Sequence, residues 1–254
     1  MNKTVLITGA TSGLGYEFVK LFADDGYNLV LVARNTEKMS AIQQTYSHLD
    51  VVVLTKDLSK SGAAKEVYEE MKAKDIHIDV LVNNAGFGLM GEFDQLDLQK
   101  QVEMIQLNIT ALTELTHYFL PEMKERNSGR ILNVASTAAF QPGPFMAVYY
   151  ATKAYVLSFS EALVEELSNY SVTVTTLCPG ATKTNFGSVA SVEKTKMFSK
   201  AMLSDVVAKE GYNGLMNGKR VIITGSVNKL GAISAKFLPR SLAAKIAKYV
   251  AGEK

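Results

Sequence analysis

TVLITGATSGLG, residues 4–15, decides the fold. A run of β-branched and apolar residues passes without a polar break into a loop with glycines at 9, 13 and 15. An amphipathic stretch, Tyr16–Asp25, follows directly. Strand, glycine loop and helix in that order open a βαβ unit. The loop then puts unobstructed backbone N–H groups at the positive end of a helix, which suits a phosphate. Gly9 permits the tight turn out of the strand, Gly13 a close approach of a pyrophosphate, and Gly15 close packing of the helix on the sheet. The spacing is G-x-x-x-G-x-G rather than the general G-x-G-x-x-G. Gly9, Thr11, Ser12, Gly13, Leu14 and Gly15 are therefore the expected cofactor-binding loop.

Six more runs repeat the first strand's character: NLVLVA (28–33), VVVLT (51–55), IDVLVNN (78–84), RILNVAS (130–136), VTVTTL (172–177) and RVIIT (220–224). They are continuous rather than alternating, as in parallel strands covered on both faces. Amphipathic stretches lie between them, including Thr36–His48, Lys60–Lys74 and Leu96–Arg126. Seven strands with intervening helices imply an α/β fold, a doubly wound parallel Rossmann-type sheet with helices on both faces. No linker, repeat or composition break divides the chain, so one domain is expected over residues 1–254. Residues 185–205 carry no strand signal. The tail near 227–254 is basic and helical in pattern.

Composition narrows the class. The 254 residues are 47% hydrophobic and 20% charged, with a net charge of +2. Charges are interspersed, which argues against nucleic acid. The single cysteine, Cys178, excludes an intramolecular disulfide and fits a reducing compartment. The N-terminal apolar run is too short for a signal peptide, and none approaches a membrane span. A cytoplasmic protein is expected. The three histidines have no metal spacing, and no metal site is expected.

The second strand ends in Ala33 and Arg34, where an NAD enzyme would carry an acidic residue for the ribose hydroxyls. A guanidinium there can grip a 2′-phosphate, which favours NADP(H) over NAD.

The stretch YYATKAY (149–155) holds three tyrosines and one lysine. Delivering a proton to a carbonyl oxygen suits a tyrosine. Its ordinary pKa of about 10 must fall toward working pH, and a nearby ammonium favours that. On one helix the partners lie at i,i+3 or i,i+4. Lys153 meets Tyr149 and Tyr150 on that test and misses Tyr155. Its backward lean mildly favours Tyr149 and leaves Tyr150 open. Ser136 ends the fifth strand, at the carboxyl edge where open α/β sheets hold ligands, and its hydroxyl can stabilise developing charge.

Taken in order, TGATSGLG, NNAG (83–86), Ser136, Tyr149-x-x-x-Lys153 and Pro179–Gly180 resemble the short-chain dehydrogenase/reductase family, over Thr4 to about Gly225. The resemblance selects Tyr149. It also implies that Asp57 and Leu58 flank the adenine, and that Asn84, Ala85 and Gly86 line the ribose. Pro179, Gly180, Thr182 and Thr184 would hold the nicotinamide end, with Tyr149 and Lys153 also touching the cofactor. Asn108 matches a fourth catalytic position that would link Lys153 to solvent through a water. Residues 185–205 would form a substrate lid. Its Phe186, Val189, Val192, Met197, Phe198, Met202 and Leu203 favour an apolar, lipid-like or ketoacyl substrate. The expected function is NADPH-dependent interconversion of a ketone or aldehyde with an alcohol. The rival is a non-catalytic NADP-binding sensor or scaffold. The resemblance also implies a homodimer or homotetramer, formed through the long helices around Asn108 and Tyr149. In the tail, Leu242, Ile246, Tyr249 and Val250 at helical spacing suit an anionic membrane surface less well than packing on protein.

Overall fold

The structure, a computed structural model, describes residues 3–193 and 195–252, and of Met197, Lys200 and Lys236 the backbone alone. Seven strands form the main sheet: β1 (Thr4–Thr8), β2 (Asn28–Ala33), β3 (Val51–Thr55), β4 (Val80–Asn83), β5 (Gly129–Val134), β6 (Val172–Cys178) and a late strand (Val221–Ile223). All pair in parallel, in the order β3-β2-β1-β4-β5-β6 and then the late strand. The order reverses direction between β1 and β4, which opens a crevice at the strands' carboxyl ends.

The continuous apolar runs have a direct cause. Val5, Ile7, Leu29, Leu31, Val80 and Val82 join one core. It holds Phe18 and Phe22 of helix α1 (Gly13–Asp24). Leu6, Val30, Val32, Leu81 and Ile131 join a second core on the opposite face. That core includes Val67 and Met71 of α3 (Ala63–Ala73), which follows α2 (Thr36–Thr45). Successive strand residues feed opposite faces, so both sets must be apolar.

Two regions depart from the sequence expectation. The long helix expected over 96–126 is α4 (Leu98–Ile105), a π turn (Gln106–Ala111) and α5 (Leu112–Glu125). A π turn inserts one residue into the helical ladder without changing residue types, so periodicity does not reveal it. Helix α6 runs from Ala147 to Glu166. Beyond it, β7 (Thr182–Lys183) pairs in parallel with β8 (Met202–Leu203), placing a strand where none was expected. Two residues are too few to show a period. Between them lie a short helix α7 (Phe186–Val189) and a 3₁₀ turn (Lys196–Lys200). Helix α8 (Ser204–Met216) leads to the late strand, β9. The tail forms α9 (Ser226–Phe237) and α10 (Arg240–Ala251), broken at Pro239. Among the described residues no helix is long and apolar enough to cross a membrane.

Candidate active site

The strand-to-helix loop is built for a close approach. Gly9 and Gly13 have φ of +68° and +54°, a region L side chains rarely adopt. Side chains cap α2 and α4, where Asn35 and Asp97 each accept a backbone N–H at 2.8 Å. The start of α1 has no such cap. Ser12 makes no side-chain capping bond and the first turn holds no acidic residue. The positive end of this 12-residue helix stays available to an anion. Gly15 does the packing work. A Cβ there would lie 2.1 Å from the Gly9 carbonyl oxygen and 2.6 Å from Asn84 Nδ2. The obstacle is backbone, so Gly15→Ala must shift the loop. We expect a loss of about 1–3 kcal/mol, read as a lower Tm, together with weaker cofactor binding.

The NNAG segment is tied to this loop. Thr8 Oγ1 accepts from the backbone N–H groups of Asn84 and Ala85 at 3.0 and 2.9 Å. Asn84 Nδ2 donates to the Thr8 carbonyl at 2.9 Å. Gly86 leaves room on its other side, where a Cβ would meet Asn108 Oδ1 at 2.9 Å and Lys153 Nζ at 3.5 Å.

Ser136, Tyr149 and Lys153 converge at the ends of β5 and β6. Ser136 Oγ accepts from the Ala138 N–H at 3.1 Å and lies 3.4 Å from the Pro179 carbonyl. Tyr149 and Lys153 are 8% and 5% exposed. Burial holds the Tyr149 phenol above its ordinary range, and the hydrogen bond with Ser136 only partly counters that. Burial brings the Lys153 ammonium down to about 8, against a weaker upward pull from Cys178. Lys153 Nζ donates to the Val134 carbonyl at 2.8 Å and lies 5.8 Å from the Tyr149 ring centroid. Ser136, not Lys153, is the group drawing the phenol down. The lysine spans the preceding turn as expected, but its head reaches a strand-end carbonyl.

The lysine's burial has a measurable sign. Its folded pKa of about 8 lies below the ordinary 10.5. Between those values the unfolded chain binds the proton and the folded chain does not, so stability rises with pH across that window. Below pH 8 the full cost applies, about 3 kcal/mol at 1.36 kcal/mol per pH unit. Lys153→Met removes that cost and leaves the Val134 carbonyl unpaired, which costs about 1–3 kcal/mol. Denaturant unfolding should therefore show little net change at pH 7, and the rise in stability above pH 8 should disappear.

The other tyrosines separate clearly. Tyr150 lines the same cleft, edge-on to Tyr149 with centroids 6.1 Å apart. Its ring fills the space where a Cβ on Gly143 would sit, 2.2 Å away. Tyr155 faces elsewhere: its hydroxyl pairs with Thr113 Oγ1 at 3.0 Å and its ring stacks on Phe159.

Asn108 is 1% exposed and sits in the π turn. Its amide exchanges bonds with the Phe87 backbone at 3.2 and 3.0 Å and donates to Thr152 Oγ1 at 3.1 Å. The side chain thus clamps the NNAG loop to α6.

These groups share one cleft of about 1590 Å³. Its walls include Gly9, Thr11, Ser12, Gly13, Leu14, Asn84, Ala85, Gly86, Ser136, Tyr149 and Lys153. Pro179, Gly180, Thr182 and Thr184 line it as well. Gly15 and Asn108 are the two expected positions that do not. Gly15 packs beneath the loop, and Asn108 lies behind Gly86. At the far end Arg34 is exposed beside Asp57, with Leu58 buried next to it. Burial raises the Asp57 carboxyl. Two bonds from Ser59, at 2.7 and 3.1 Å, and the Arg34 and Lys60 charges outweigh it, so the carboxyl stays ionised below its usual range.

The outer wall is Phe186, Val189, Val192 and Phe198 from residues 185–205. The Phe186 ring lies 5.3 Å from that of Tyr149. Met197's side chain lies outside the described residues. The tail closes the rest, with Asn228, Ala232 and Ala235 of α9 and Ala243, Ala247 and Val250 of α10. Asn228 reaches the Gly180 turn, where a Cβ would meet its Nδ2 at 2.3 Å. No sequence signal marked this wall, because small residues spaced along a helix read equally well as ordinary packing.

The family model for short chain dehydrogenase matches residues 3–195. The "Probable short-chain type dehydrogenase/reductase VdlC" of Helicobacter pylori is 31% identical over 85% of this chain and 80% of its own length. A 7beta-hydroxysteroid dehydrogenase of Clostridium sardiniense is 29% identical over 88% of this chain and 86% of its own. Among solved structures, a short-chain dehydrogenase from Sphingobium yanoikuyae in complex with NADPH superimposes with a TM-score of 0.83. It is 32% identical and covers 91% of this chain and 92% of its own.

Proposed function

Because this chain belongs to the short-chain dehydrogenase family of oxidoreductases, we propose that it uses NADP(H) to interconvert an apolar ketone or aldehyde with its alcohol. The observation that carries this reading is the gathering of Ser136, Tyr149 and Lys153 in one cleft with an uncapped helix N-terminus and Arg34.

The residues present fit such a cofactor. Gly9 and Gly13 form a cradle that side chains would fill, and a Cβ on Gly13 would already lie 3.2 Å from Thr184. The N–H groups opening α1 take the pyrophosphate. Arg34 takes the 2′-phosphate, and Asp57 and Leu58 flank the adenine. Asn84, Ala85 and Gly86 line the ribose. Pro179, Gly180, Thr182 and Thr184 hold the nicotinamide end. When bound, the nicotinamide supplies or accepts the hydride. Ser136 donates a hydrogen bond to the carbonyl oxygen and stabilises charge developing there. Tyr149, kept protonated at neutral pH by burial, passes its proton to that oxygen. Lys153, still largely cationic at pH 7 and 5.8 Å from the Tyr149 ring, favours the tyrosinate left behind. Asn108 holds the NNAG loop and α6 in register.

The lid's apolar wall favours a lipid-like or steroidal substrate, and the hydroxysteroid dehydrogenase among the relatives supports this. Residues 185–205 act as its lid within a single domain. The exposed apolar stripe of α4, Leu98, Val102 and Ile105, supports a homodimer or homotetramer. The reading is tested by following NADPH oxidation against a panel of aliphatic, steroidal and ketoacyl carbonyls. Turnover favours apolar members. Tight NADPH binding with no turnover on any member would instead establish a non-catalytic binder.

A further inference from the structure

The tail does two things at once. One side of α9 and α10 lines the cleft, through Ala232, Ala235, Ala243 and Ala247. The other side is bare. On α9, Leu230, Ile233 and Phe237 fall along one stripe at 68%, 43% and 85% exposure, with Val227 at the rim of the cleft. On α10, Leu242 and Tyr249 are exposed as well, with Lys196 over the Tyr249 ring and Ile246 at the rim of the cleft. Large apolar residues this exposed, on two consecutive 12-residue helices, mark a contact surface rather than scattered surface hydrophobes.

Charge identifies what the surface fits. From Ser226 to Gly252 the chain carries Lys229, Lys236, Arg240, Lys245 and Lys248 and no acidic residue, although the whole protein has a net charge of only +2. Lys229, Arg240, Lys245 and Lys248 are exposed. A second copy meeting this face across a two-fold axis would bring the same cations together. Apolar stripes set among cations are the pattern of helices that lie in the interface of an anionic bilayer.

We propose that α9 and α10 dock the protein on an anionic lipid surface, lying in the plane of the interface, with the cleft behind them. The inference does not depend on the reaction proposed above, and its test uses neither cofactor nor substrate.

The full chain is sedimented with vesicles of phosphatidylcholine alone or of phosphatidylcholine with phosphatidylglycerol. It should pellet with the anionic vesicles, release as salt is raised, and stay in solution with the neutral ones. Replacing Arg240 and Lys245 by Gln should weaken binding about fivefold per cation removed. Leu230→Ser with Phe237→Ser should lose binding while Tm stays unchanged, which separates lost docking from a fold defect. Failure to bind anionic vesicles would overturn the proposal, as would binding that both variants leave intact. So would light scattering in which the Leu230/Phe237 variant dissociates an assembly that the parent chain forms through this face.

Discussion

Tyr149→Phe lowers turnover by about 100- to 10,000-fold, the range a positioned general acid supplies, and leaves NADPH affinity unchanged. The substitution removes one hydroxyl from a ring that is 8% exposed and otherwise keeps its contacts with Tyr150 and Phe186. Folding and the shape of the cleft are preserved, so the loss falls on kcat. Tyr150→Phe is the control. Tyr150 lines the same cleft but packs on the Gly143 loop, so its loss alters substrate affinity rather than proton transfer. Steady-state kinetics of the two variants decide between them. A Tyr150→Phe enzyme that is dead beside a working Tyr149→Phe enzyme would reverse the assignment.

Arg34→Ala reduces the preference for NADPH over NADH by about 10- to 150-fold. That corresponds to a charge-assisted hydrogen bond worth about 1.5–3 kcal/mol. The position makes the expectation specific. Arg34 follows β2, exposed at the end of the cleft proposed to hold the adenosine, and the nearby carboxylate is Asp57. Without a 2′-phosphate, Arg34 faces the Asp57 carboxylate there. With one, it gains a dianionic partner. Removing the guanidinium should therefore raise KM for NADPH sharply, barely alter that for NADH and leave kcat in place. An unchanged ratio of kcat/KM for the two cofactors would remove Arg34 from the specificity account.

The strands were legible because each feeds both faces of a covered sheet, which forces runs such as LVLVA to be apolar throughout. The candidate site was legible because its residues sit where those strands end, at Gly9, Asn84, Ser136 and Pro179. Other features left no trace in residue type. The π turn holding Asn108 changes hydrogen-bond register, not composition. The β7–β8 pair is too short for a period. Lys153 has the spacing to serve Tyr149, and only the position of the Val134 carbonyl shows where its head rests. The tail's role as a cleft wall depends on how far the chain folds back after β9, and long-range placement is not encoded in local spacing.

The most direct test is to supply NADPH deuterated at the transferred position with an apolar ketone and locate the label in the product. The wild-type protein should place deuterium on the carbinol carbon, and Tyr149→Phe should place almost none over the same time while binding the cofactor equally well. Wild-type protein that binds NADPH tightly yet transfers no deuterium to any carbonyl offered, or a Tyr149→Phe variant that transfers it at the wild-type rate, would contradict the account.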